Sequence, residues 1–339
     1  MTRALVVTGA GGVGKTTLSA ALAVAAARQG HRTLVLTVDP ARRLSDALGI
    51  EISNEPEPHP REPDLWAAML DSTASWQEVV RRHAEPEVAE RLIDNEFFVA
   101  ATSHFPASQA YAAAEEAATY LDARAWDLVV VDTPPAAGGI DFFTAPARMA
   151  DLVGGRLLRW LTGARLPGRR FFFDRTAKPM LRLADQVLGA NLLERLAVFF
   201  MDLRTTYDGV SKRARQIERH LQAATTLVVT TSDPAPMTET VRFFRDLPAV
   251  AAPPDAVIFN RSLPEEWIDA EVPEGVEVSL ADNLHRWGAE AKQQRTVRRE
   301  LGERHDIPIA TVPWQRRPPT DLESLQRLVD QARALPPLW

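Results

Sequence analysis

Residues 3–20 read Arg3-Ala4-Leu5-Val6-Val7-Thr8, then Gly9-Ala10-Gly11-Gly12-Val13-Gly14-Lys15-Thr16-Thr17, then Leu18-Ser19-Ala20. A short apolar run feeds a glycine-rich turn, and the turn feeds an Ala-rich amphipathic segment. The order predicts strand, loop and helix, with Gly-x-x-x-x-Gly-Lys-Thr spanning Gly9 to Thr16. Glycines let a backbone wrap a phosphate chain and point its N–H groups inward. The helix that starts there adds its dipole and its unpaired N–H groups. In such a loop Gly11, Gly12, Val13, Gly14 and Thr17 surround the phosphates. Lys15 reaches the β- and γ-phosphates, and the Thr16 hydroxyl ligates Mg²⁺.

Composition narrows the setting. The chain has 339 residues, 45% of them apolar, which suits one large α/β domain or a domain with an insertion. A net charge of −6 gives no expectation of a broad nucleic-acid face. The absence of cysteine excludes a disulfide framework, a thiolate metal site and a redox motif. The first apolar run leads straight into the loop, so no signal peptide is expected. No apolar run reaches membrane-spanning length, so a cytoplasmic protein with at most peripheral membrane association is expected. Basic charge is carried almost wholly by arginine; the lysines are Lys15, Lys178, Lys212 and Lys292, so Lys15 stands out.

Further along, a helix over 15–29 is closed by Gly30, and 32–38 is a β-rich run ending in Asp39-Pro40-Ala41-Arg42-Arg43-Leu44-Ser45-Asp46. A carboxylate just past the C-terminal end of a strand is where open α/β sheets place chemistry; the plain alternative is a turn at Asp39-Pro40 and a cap at Asp46. Residues 51–63 read as a surface loop and 66–70 as a strand. Helices are expected at 75–83, 87–94 and 107–121, with an irregular apolar stretch at 97–106. Leu128-Val129-Val130-Val131-Asp132-Thr133-Pro134-Pro135 is the Walker B pattern, with Asp132 holding Mg²⁺ through a water. Two prolines turn the chain away, and Gly138-Gly139 frees the segment to act as a nucleotide switch. The alternative is a buried strand ending in an ordinary turn.

Residues 147–222 change to helical spacing, interrupted by Arg169-Arg170-Phe171-Phe172-Phe173, which is either a buried crossover or an apolar surface for a partner. The sheet pattern then resumes. Strands are expected at 225–231, 255–260 and 307–312. Helices are expected at 238–246, 286–305 and 321–334, and 264–282 reads as an acidic loop. Asn260 and Arg261 end one of these strands, a natural place for base recognition. The expected organisation is an ATPase core over 1–146 and 223–339, with a helical insertion over 147–222.

Three stretches in this order, Gly9 to Thr17, Asp39-Pro40-Ala41-x-x-Leu44-Ser45-Asp46 and Asp132-Thr133-x-Pro135, followed by Asn260, resemble the anion-transporting ATPase family. That family comprises arsenite-pump ATPases (ArsA) and the cytosolic ATPases that target tail-anchored membrane proteins. The run Ile140-Asp141-Phe142-Phe143-Thr144-Ala145-Pro146-Ala147-Arg148 is similar to actinobacterial members. The resemblance implies a doubly wound, mostly parallel sheet of the deviant Walker A branch, with ATP and Mg²⁺ as cofactors. It implies that Asp39 positions or activates the attacking water, also touching the metal through water, and that Asp46 closes switch I. Asp132 is then the Walker B carboxylate, and Thr133 to Gly139, with Pro134 and Gly138, is switch II. Asn260 contacts adenine, Pro313 lines the base pocket, and 147–222 binds an apolar or tail-anchored client. Two subunits face each other across the nucleotides.

Three departures qualify this. Ala10 stands where the family has the lysine that reaches across the dimer, a group acting like an arginine finger and worth roughly 10³–10⁵ in rate. A homodimer is therefore expected to hydrolyse slowly unless Arg42 or Arg43 substitutes. A heterodimer with a lysine-bearing paralogue is the other possibility. The lack of cysteine excludes a thiolate arsenite site and a Cys-x-x-Cys zinc clasp. One half, where the arsenite pumps have two, gives no expectation of arsenite efflux. Two other readings remain: a weakly hydrolytic nucleotide-binding subunit of a hetero-oligomer, and a partitioning-type ATPase. The last needs a basic face or helix, which the acidic residues of 321–334 do not supply.

Overall fold

The computed structural model describes residues 2–38, 42–104, 106–133, 140–154, 192–247, 252–272 and 274–339. Among them one sheet holds β1 (Arg3–Gly9), β2 (Thr33–Thr37), β3 (Glu57–His59), β4 (Glu62–Met69), β5 (Leu128–Asp132), β6 (Thr225–Thr230), β7 (Ala256–Ser262) and β8 (Ile309–Pro313). Their spatial order is β3-β4-β2-β5-β1-β6-β7-β8, and only the β3–β4 pair is antiparallel. The helices are α1 (Lys15–Arg28), α2 (Arg43–Leu48), α3 (Ser72–His83), α4 (Pro86–Ile93), α5 (Glu96–His104), α6 (Pro106–Ala123) and α7 (Ile140–Gly154). They continue with α8 (Leu192–Thr205), α9 (Tyr207–Gln222), α10 (Pro234–Asp246), α11 (Val278–His305) and α12 (Leu322–Asp330). The fold is the expected α/β class with a mostly parallel sheet.

Parallel strands covered on both faces need continuous apolar runs rather than alternation. Strands β2 and β5 meet that condition, with every residue buried. Helix α1 is more enclosed than its amphipathic reading suggests, because eleven of its fourteen residues are buried. Alanines dominate it, so its backbone comes close to its neighbours and no polar face is needed. Helix α12 packs on α1, and its Leu322, Leu325 and Leu328 enter the same core as Leu18 and Leu22.

Several local expectations are corrected. Within the stretch read as irregular at 97–106, residues up to His104 are helical as part of α5, started by the Asn95 side chain accepting from the Phe97 N–H at 2.9 Å, and Pro106 begins α6; this is the N-cap mechanism. The stretch read as a loop at 51–63 contains β3, and its turn seats His59 in the core. Helix α11 begins at Val278 rather than 286, and Glu265–Trp267 is a single 3₁₀ turn within the stretch read as acidic loop. Helix α10 begins at Pro234, where proline's missing N–H costs nothing, and α12 stops at Asp330. Residues 155–191, with Arg169 to Phe173, lie outside the described residues.

Contacts divide the chain into two compact units. The first is Met1–Leu70, Glu116–Phe143 and His220–Trp339, and it carries the sheet. The second, Asp71–Glu115 and Thr144–Arg219, is helical. In its interior Trp76 stacks on Tyr111 with ring centroids 4.9 Å apart. The buried Glu115 carboxylate accepts from Arg82 Nη1 and Arg213 Nε, each at 2.9 Å. Burial pushes the nearby Tyr111 hydroxyl up and the His83 imidazole down from their ordinary pKa values.

Two outcomes follow from this packing. Leu22→Ala should lower unfolding free energy by about 2–5 kcal/mol in urea titration, because α1 has little room to collapse. A protonated His83 is disfavoured in the folded unit while the unfolded chain protonates near pH 6.5. Stability of the helical unit should therefore be full above that pH and fall as pH drops below it. Replacing His83 with glutamine should flatten that slope in pH-dependent melting.

Candidate functional site

The loop after β1 is shaped by two close approaches. Gly9 has φ +143°, and a Cβ there would collide with the Val229 carbonyl of β6. Gly14 has φ +93°, and a Cβ there would collide with the Asn260 amide at the end of β7. Gly11 and Gly12 meet the opposite condition, because a Cβ on either would find nothing within 4 Å. The loop is thus tight against the sheet on one side and open on the other. Helix α1 starts at Gly14 with no side-chain cap and no acidic residue in its first turn.

Lys15 is buried, and its Nζ donates to the Gly9 and Ala10 carbonyls at 3.0 and 2.9 Å. Ala10 is itself 3% exposed and belongs to the apolar core. One turn of α1 and two strand ends meet at Asp132. Its Oδ2 accepts from Thr16 Oγ1 at 2.7 Å and from Thr37 Oγ1 at 2.9 Å, and Ser19 Oγ lies 3.4 Å from Oδ1. The carboxylate is 1% exposed. Thr133 fastens the next step of the chain to β1, with its hydroxyl donating to the Val7 carbonyl at 3.0 Å. Asn260 Nδ2 donates to the Val13 carbonyl at 2.8 Å, and its Oδ1 accepts from the Arg261 N–H at 2.9 Å.

Lys15, Thr16, Asp132, Val13, Gly14 and Asn260 are therefore brought together. Thr17 follows on α1, half-buried. Pro313 ends β8 and is paired with Ser262 of β7. Arg42 precedes α2 and Arg43 begins it; both are exposed, as is Asp46, whose N–H donates to the Arg42 carbonyl at 2.8 Å. Asp39, Pro134 and Gly138 lie outside the described residues. Sequence reasoning passed over Ser19 and Thr37. Ser19 sits one helical turn past Thr16, and Thr37 ends a strand that flanks β5. Those two positions were the available signals.

The oxygen set suits a hard cation, since the Thr16 hydroxyl and the Asp132 carboxylate are adjacent. Among the described residues no three His, Cys, Asp or Glu side chains converge on a metal position. No described helix is long and apolar enough to cross a membrane.

A family model described as anion-transporting ATPase matches residues 2–331. A Halobacterium salinarum protein named "Putative arsenical pump-driving ATPase" is 31% identical over 53% of this chain and 29% of its own length. An uncharacterised protein of Streptomyces coelicolor is 35% identical over 43% of this chain and 38% of its own. The ATPase get3 of Schizosaccharomyces pombe is 24% identical over 75% of this chain and 72% of its own. The chain spans less than half the length of the first three curated relatives it matches.

Gly14→Ala places a side chain on a left-handed backbone and against Asn260. It should destabilise the protein by about 1–3 kcal/mol. Asn260→Ala in the same chain should recover only the collision, not the backbone strain, when the single and double variants are compared by urea unfolding.

Proposed function

The chain belongs to the anion-transporting ATPase family, and from that premise we propose that it is a Mg-ATP-dependent conformational-switch ATPase. The observation that carries this reading is the buried Asp132 carboxylate, hydrogen-bonded to Thr16 of the loop helix and Thr37 of β2. Mg²⁺, when bound, supplies the positive charge that offsets charge on the transferring phosphoryl group. Lys15 exchanges two loop carbonyls for phosphate oxygens, which are stronger acceptors for an ammonium. Thr16 and Asp132 are the residues that would hold the metal, with Asp132 kept in orientation by the Thr37 hydroxyl. The rearrangement is passed to Thr133 and the segment beyond it, the proposed switch II. Asp39, two residues past Thr37, is assigned the attacking water, and Asp46 the closing of switch I.

The proposal extends to assembly and client. Resemblance to the tail-anchored-protein targeting ATPases supports a dimer that binds an apolar client. In the helical unit Val99, Val198 and Met201 are 47%, 48% and 61% exposed, which suits such a surface. Ala10 favours a second reading at the same site. Because that position carries no charge, turnover by the isolated chain is slow, or the missing cation comes from a paralogous subunit. The exposed Arg42 and Arg43 are the local substitutes.

Lys15→Ala should abolish ATP binding in a thermal-shift titration. Asp132→Asn should still bind ATP but lose turnover by about a hundredfold or more. A Lys15→Ala protein that hydrolyses ATP at the unaltered rate contradicts the proposal. Adding a lysine-bearing paralogue distinguishes the two readings, since only the heteromeric one predicts faster turnover.

A further inference from the structure

Helix α2 is six residues long, so nearly all of its backbone groups belong to one end or the other. A helix this short depends on what its ends and its buried face meet. Leu44, Ala47 and Leu48 enter the core that α1 also fills, while Arg42, Arg43 and Asp46 are exposed. Its start carries no side-chain cap. At its other end the chain turns through Gly49, which has φ +69° and donates its N–H to the Ser45 carbonyl at 2.8 Å. The Leu48 carbonyl is met by His59, whose Nε2 lies 3.2 Å away.

His59 comes from the turn between β3 and β4 and is 2% exposed. Its other ring nitrogen, Nδ1, accepts from the Arg61 N–H at 3.2 Å. A neutral imidazole carries one ring proton. With Nδ1 accepting, that proton is on Nε2 and is donated to Leu48. Both ring nitrogens therefore meet backbone partners, and the ring has one orientation. An apolar side chain would fill the space but leave a buried carbonyl without its donor, which is costly. Strand β4, which follows the turn, pairs with β2. Just past its end, the Leu70 N–H donates to the Thr37 carbonyl at 2.8 Å, and the Thr37 hydroxyl donates to Asp132. One hairpin thus holds the chain at Thr37 and again at Leu48. In sequence Asp39, Arg42, Arg43 and Asp46 all lie between those two points.

We propose that His59 is a positioning residue for switch I. Its Nε2–H fixes the closing end of α2, so a nucleotide-driven movement of the segment pivots about Leu48 and returns Arg42, Arg43 and Asp46 to one place. The inference rests on the ATPase reading above and adds to it a residue outside the phosphate loop, the strand ends and both switch stretches.

ATP turnover by the full chain tests it, with folding checked by thermal melting. His59→Asn keeps an acceptor near Arg61 but stops short of Leu48, whereas His59→Gln reaches Leu48 with an amide N–H. The asparagine variant should lose about tenfold in kcat while its KM for ATP stays within about twofold. The glutamine variant should recover most of that loss. A role in packing alone predicts a lower melting temperature with kcat unaltered. That result, equal losses in the two variants, or a loss confined to KM overturns the inference while the ATPase reading stands. Hydrogen exchange on the unsubstituted protein serves if the asparagine variant does not fold. The Gly49 and Ile50 amides should stay protected with and without Mg-ATP, and their release on adding Mg-ATP overturns the pivot. An unsubstituted protein that hydrolyses no ATP ends the ATPase reading and this inference together.

Discussion

The fold and the site share one constraint: the Asp132 carboxylate must be satisfied where water does not reach. A buried ionised carboxylate without partners is very costly. Here Thr16 and Thr37 hydroxyls donate to one oxygen, and Ser19 lies near the other. Thr16 and Ser19 come from α1 and Thr37 from the end of β2, so satisfying the carboxylate ties α1, β2 and β5 to one another. The same hydroxyl that holds Asp132 is the one a metal would claim. In the proposed reading, nucleotide binding changes the Thr16–Asp132 hydrogen bond at the centre of the sheet.

Around that point the phosphate loop is held by backbone rather than by long side chains. Gly9 lets it lie against β6, and Gly14 lets the Asn260 amide reach the Val13 carbonyl. The open side of the loop is left to Gly11 and Gly12. Ala10 packs inward with the core. A position that the family resemblance associates with a reaching lysine is here an apolar, enclosed alanine.

Much of this was legible in the sequence because it is written in consecutive residues. The loop, the apolar runs of β1, β2 and β5, and Asp132 at a strand end are local patterns, and the structure places them as read. What was not legible depends on strand order. Thr37 meets Asp132 only because β2 lies beside β5. The hairpin at 57–69 was obscured by its prolines and charges, and the helix at 96–104 by an unbroken apolar run whose Asn95 cap was the available clue.

The helical unit is organised differently, around the Glu115 carboxylate with Arg82 and Arg213 and around the Trp76–Tyr111 stack. It exposes Val99, Val198 and Met201, whereas the sheet unit carries the Gly9–Thr17 loop and Asp132. A crystal structure of the protein with Mg²⁺ and a non-hydrolysable ATP analogue tests the central claim most directly. The account predicts the triphosphate wrapped by Gly11 to Thr16, the Thr16 hydroxyl moved from Asp132 to the metal, and Asp132 still bonded to Thr37. Nucleotide bound away from that loop, or bound with the Thr16–Asp132 hydrogen bond intact and no metal beside it, would contradict the account.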